Sequence, residues 1–132
     1  MREEWKNELF QPDANNTPRQ LGFPMSTARG RRILGICHDT WKRWEELAET
    51  IPEYKLQQIK LKNKSSEFGA IAPITPYQVW VIGKIGEVFG NLPHGLPKKW
   101  MAQEYINQKK EEFTRSYYEE EQVRYVLYLV EG

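Results

Sequence analysis

The chain has 132 residues, with 19 Lys+Arg against 18 Asp+Glu, one cysteine and two histidines. That length supports a single domain with a real hydrophobic core, whereas one cysteine excludes an internal disulfide and two histidines make a poor donor set for structural zinc. No apolar run approaches the ~20 residues of a membrane helix, and Glu3 and Glu4 stand where a secretion signal places apolar residues. A cytoplasmic protein with no membrane partner is therefore expected.

Residues 1–25 read as an N-terminal arm. Trp5, Leu9 and Phe10 can form a short helical patch, but Pro12, Asn15, Asn16, Pro18, Gly22 and Pro24 break anything longer. From Ser26 the signals sharpen. Ser26 can cap a short helix through about Leu34, and Gly35 suits its exit because glycine readily adopts positive φ. A second helix is expected from about His38 to Thr50, with Trp41, Trp44, Leu47 or Ala48, and Ile51 as its inward stripe. Residues 53–64 allow either a short helix or a hairpin, and 68–74 read as a linker. Thr75-Pro76 opens a core helix carrying Tyr77, Val81, Ile85, Val88 and Leu92, widened by Trp80, Ile82 and Phe89. One further helix is expected from Pro97 through Phe113 and Tyr117. The run 122–131, rich in Val, Tyr and Leu, suits helix or strand.

The fold class is thus predominantly α: a helix-turn-helix over 26–64, then a further helical hairpin within 65–132. A short β-hairpin wing or a C-terminal strand remains open. Charge is distributed unevenly over these parts. Residues 26–64 hold nine basic and five acidic side chains, whereas 1–25 and 65–132 are mildly acidic. The basic middle is a candidate surface for an anionic partner.

Within that middle, Leu34-Gly35-Ile36-Cys37-His38-Asp39-Thr40-Trp41-Lys42-Arg43-Trp44-Glu45 resembles the helix-turn-helix of MerR-type regulators and phage excisionases. The shared slots are a glycine, Val or Ile, a short polar stretch, Thr, an apolar residue, two polar or basic residues, an aromatic and often Glu. The likeness covers about residues 28–47. It implies a recognition helix in the major groove of double-stranded DNA. With Trp41 and Trp44 directed inward, His38, Asp39, Lys42 and Arg43 fall outward, as a reading face requires. Arg29, Arg31 and Arg32 would contact phosphates and fix orientation. Lys60, Lys62 and Lys64 would lie on the basic wing these families place next. The families also tend to have a small residue four positions before the turn glycine, where the helices cross. Arg31 stands there, so it must tilt aside or the packing must differ. The segment 97–120 resembles, in length and position, the C-terminal helix through which MerR-type proteins pair, implying a homodimer.

Enzymatic chemistry is not expected. Adjacent Cys37 and His38 cannot form a spatial dyad without a third group, and His94 sits in a Pro/Gly loop. Cys37 suits a helix-cap position where related motifs place Ser. No phosphate-binding glycine loop, zinc-ligand spacing or Gly-x-Ser-x-Gly turn occurs, so no cofactor or metal is expected. The leading expectation is a small DNA-binding regulator or mobile-element accessory factor. The alternative is a non-enzymatic adaptor of phage or plasmid type, in which Trp5, Leu9 and Phe10 of the arm dock a partner.

Overall fold

The computed structural model describes residues 4–10, 25–68, 73–93, 95 and 97–131, with backbone alone for 63–68 and 129–131. Among them lie seven α-helices: α1 (Trp5–Leu9), α2 (Thr27–Leu34), α3 (His38–Ala48), α4 (Pro52–Phe68), α5 (Pro76–Asn91), α6 (Lys98–Gln108) and α7 (Arg115–Glu131), with a 3₁₀ turn at Lys110–Phe113 before the last. The described residues contain no strand. A single antiparallel bridge, Met25 to Ile74, ties the entry of α2 to the entry of α5 through bonds of 2.7 and 2.8 Å.

Helix α5 is the axis of the fold, packed by all six other helices. Every residue from Pro76 to Gly83 is buried. A helix enclosed on all sides must be apolar on all sides, and Val79, Trp80, Val81 and Ile82 meet that condition. Gln78 is the polar exception, and its amide is consumed at the helix start. Its side chain accepts from the Thr75 N–H at 2.9 Å while Thr75 Oγ1 accepts from the Gln78 N–H at 3.1 Å, a reciprocal cap.

The arm is part of the core. Trp5, Leu9 and Phe10 are buried, and Trp5 lies against Gly83 of α5. Phe10 meets the rings of Tyr118 and Tyr125 on α7, each at 5.6 Å. Lys6 bridges to Glu121 at 2.9 Å and Glu87 at 3.4 Å. The three apolar side chains expected to dock a partner are therefore spent on internal packing.

One local alternative is decided and one expectation is corrected. Residues 52–68 form one continuous helix, so no hairpin wing occupies 53–64. Leu56, Gln57, Gln58, Ile59, Lys60 and Leu61 are all helix-compatible, and buried Tyr54 anchors the first turn by donating to Glu45 Oε2 at 3.1 Å. The single helix expected from Pro97 is broken. It ends at Gln108, and Thr114, in extended conformation, starts α7 by accepting from the Tyr117 N–H at 3.2 Å. The 3₁₀ turn between them carries Phe113 into the core, where its carbonyl accepts from the Tyr77 hydroxyl at 2.6 Å. Glu53 of α4 supports the new start by accepting from the Arg115 N–H at 2.6 Å. The run 122–131 is helical, with Tyr118, Gln122 and Val126 buried one turn apart.

Candidate nucleic-acid interface

Helices α2 and α3 are joined by a short turn whose conformation the sequence dictates. Ser26 Oγ accepts from the Arg29 N–H at 3.1 Å and starts α2. Gly35 ends it in the left-handed region at φ 69°, and its N–H and that of Ile36 both bond back to the Arg31 carbonyl. Cys37 takes the extended N-cap conformation of α3. Its Sγ lies 3.2 Å from Thr40 Oγ1, and that hydrogen bond draws the exposed thiol below its ordinary pKa.

The close approach of the two helices falls on Gly30 rather than on position 31. A Cβ at Gly30 would stand 3.1 Å from the Trp41 ring and 3.2 Å from Val79, so the missing side chain lets α2 lie on both α3 and α5. Arg31 is half-buried, and its Nε has no hydrogen-bond partner among the described atoms.

Trp41, Leu47 and Ala48 fix the inward side of α3. His38, Asp39, Lys42 and Arg43 are consequently all exposed along its outward side, and Glu46 extends the same face by one turn. Arg29 and Arg32 are exposed on α2. Lys60 and Lys62 are exposed on α4. Lys60, however, lines a groove with Glu53, Leu56, Arg115 and Glu119, between α4 and the start of α7. Lys64 lies outside the residues whose side chains are described, as does His94. Electrostatically the α3 face is mixed. Asp39 suits the positive end of the helix dipole, and Glu46 pairs with Lys99 of α6 at 2.9 Å across open solvent.

Sequence reasoning missed a neighbouring feature. Trp44 of α3 is half-buried and lies nearly parallel to Phe89 of α5, with ring centroids 6.3 Å apart and planes inclined by 17°. With Thr40, Arg43, Lys98 and Lys99 these rings line a groove of about 400 Å³. The pair Lys98-Lys99 directly after Pro97 was the available signal, but nothing local places the start of α6 beside α3. No group of three or more His, Cys, Asp or Glu among the described residues is arranged to hold a metal ion. No described helix is long and apolar enough to cross a membrane. No protein-family model, curated protein or solved structure matches the chain.

Proposed function

We propose that the protein binds double-stranded DNA through the outward side of α3, as a transcriptional regulator or mobile-element accessory factor. The observation that carries this is the joint exposure of His38, Asp39, Lys42 and Arg43 on a helix whose inner side is fixed by Trp41, with Arg29 and Arg32 exposed on the preceding helix. In this role Lys42 and Arg43 reach base edges or phosphates, and the α2 arginines set the docking angle. With no hairpin at 53–64, Lys60 and Lys62 are left as secondary backbone contacts from α4. The protein acts as a homodimer paired through α7. Support comes from Val123, Leu127 and Tyr128, which are 47%, 51% and 72% exposed on the outer side of that helix.

The test is fluorescence anisotropy of a labelled random-sequence duplex at low salt, with sedimentation equilibrium for the assembly state. Saturable binding that the double variant Lys42→Ala, Arg43→Ala reduces at least tenfold, at unchanged thermal stability, supports the proposal. Absence of any duplex affinity at low salt refutes it. Leu127→Glu should yield a monomer if α7 pairs two copies.

A further inference from the structure

The groove beside α3 shares Arg43 with the outer side of that helix, but Trp44, Phe89, Lys98 and Lys99 play no part in the DNA docking proposed above. Its aromatic lining is the nearly parallel pair Trp44 and Phe89, and Arg43, Lys98 and Lys99 line it with Thr40. Among the described residues the only acid paired to these cations is Glu46, through Lys99. Glu87 lines the adjoining depression with Asn91 and is engaged by Lys6. Lys98 is half-buried and has no ion partner among the described residues.

The placement of the lysines is informative. Lys98 and Lys99 are the first two residues of α6, whose opening turn contains no acid and whose N-terminus has no side-chain cap. Cations there oppose the helix dipole and weaken the helix. Local choices that disfavour the local fold concentrate at functional sites. Here they stand at the edge of a groove whose volume is that of a small-ligand pocket, beside an aromatic surface. A carboxylate ligand would use the cations and leave the rings idle, and an apolar ligand would do the reverse.

We infer that this groove binds a nucleotide, with the base laid on Trp44 and Phe89 and the phosphate held by Arg43, Lys98 and Lys99. Base–aromatic stacking and charge-assisted phosphate contacts each supply part of the affinity. Asn91, which lines the adjoining depression, supplies an amide for a base edge. The nucleotide is either free or an unpaired residue of a strand, and the chemistry is common to both.

The experiment is calorimetric titration of the intact protein with 5′-AMP, adenosine, and a short single-stranded oligo-dA. Binding of 5′-AMP with Kd below ~1 mM, at least about tenfold tighter than adenosine, identifies a free-nucleotide site. Binding of the oligomer alone assigns the unpaired strand. Lys98→Glu should weaken either probe at least about tenfold, and because it puts an acid in the first turn of α6 it favours the helix. Phe89→Leu keeps aliphatic packing and removes the stacking ring, with a similar loss expected. Lys42→Ala should leave both titrations unchanged, which separates this site from the duplex-binding face. Failure of both probes to saturate by ~1 mM, adenosine binding as tightly as 5′-AMP, or indifference to Lys98→Glu overturns the inference.

Discussion

Substituting Gly83 by alanine should destabilise the protein even though alanine is the better helix former. A Cβ at this position would lie 2.6, 2.7 and 2.9 Å from Cη2, Cζ3 and Cζ2 of Trp5. These distances fall about 1 Å inside the ~3.5–4.0 Å carbon–carbon optimum. Trp5 is 2% exposed, and its rigid ring cannot yield by a rotation at its tip alone. Its retreat strains α1, whose other anchors are buried Leu9 and Phe10 and the ion pairs of Lys6. Overpacking of this sort costs about 2–3 kcal/mol, near the upper end of its usual range. The higher helix propensity of alanine returns about 1 kcal/mol, leaving a net loss of about 1–2 kcal/mol. The control is Trp5→Leu, which removes all three offending atoms. In that background Gly83→Ala should be neutral or stabilising by up to about 1 kcal/mol, giving a coupling energy of about 1–3 kcal/mol. Urea unfolding of the four proteins followed by circular dichroism at 222 nm reads this directly, provided the m-values agree. Stabilisation of the parent by Gly83→Ala, or the same loss in both backgrounds, would refute the seating of Trp5 on α5.

Gly90, whose added Cβ meets nothing within 4 Å at the exposed end of α5, should behave oppositely. Gly90→Ala should stabilise by about 0.5–1 kcal/mol in the same urea assay, whereas Gly35→Ala should lose about 1 kcal/mol because φ there is 69°. Thr75→Ala removes the cap of α5 and its 2.6 Å hydrogen bond to Gln57. A loss of about 2 kcal/mol is expected, seen in a thermal melt as about 6–10 °C. Alkaline stability follows from Tyr54 and Tyr77, whose hydroxyls burial pushes above the ordinary value of 10.0. A raised folded pKa means stability is complete below pH 10 and declines as pH rises further, because the unfolded chain loses those protons first. Each such tyrosine contributes up to ~1.4 kcal/mol per pH unit. Burial pulls Lys84 below its ordinary 10.5, the opposite sense, so the comparison belongs above pH 10.5. There Tyr77→Phe should flatten the decline in urea midpoint, and an unchanged slope would count against it.

The helix boundaries set by one residue and its near neighbours could be read from the sequence. Ser26, Gly35 and Thr75-Pro76-Gln78 act through bonds spanning three or four positions. The exposure of His38, Asp39, Lys42 and Arg43 followed likewise, since Trp41 alone orients a helix about its axis. What could not be read was decided by distant partners. The burial of Trp5 depends on Gly83, and nothing near Trp5 distinguishes a core anchor from a docking residue. The break after Gln108 lacks any glycine or proline. It depends on Phe113 finding the core and on Glu53 meeting the Arg115 N–H, and only Thr114 hinted at it. Gly30 by itself disfavours α2, yet it is the contact point with Trp41 and Val79. The Trp44–Phe89 groove joins α3, α5 and α6, so no single segment contains it.

The most direct test of DNA contact by α3 is the salt dependence of duplex affinity for the parent and for the Lys42→Ala, Arg43→Ala variant. If Arg29, Arg32, Lys42 and Arg43 each neutralise one phosphate, then leaving aside the secondary contacts of Lys60 and Lys62, log K should fall against log salt with a slope of about −3.6 per protomer. Removing two contacts should bring it to about −1.8. A slope that the double variant leaves unchanged, or a parent protein without measurable duplex affinity at low salt, would contradict the account.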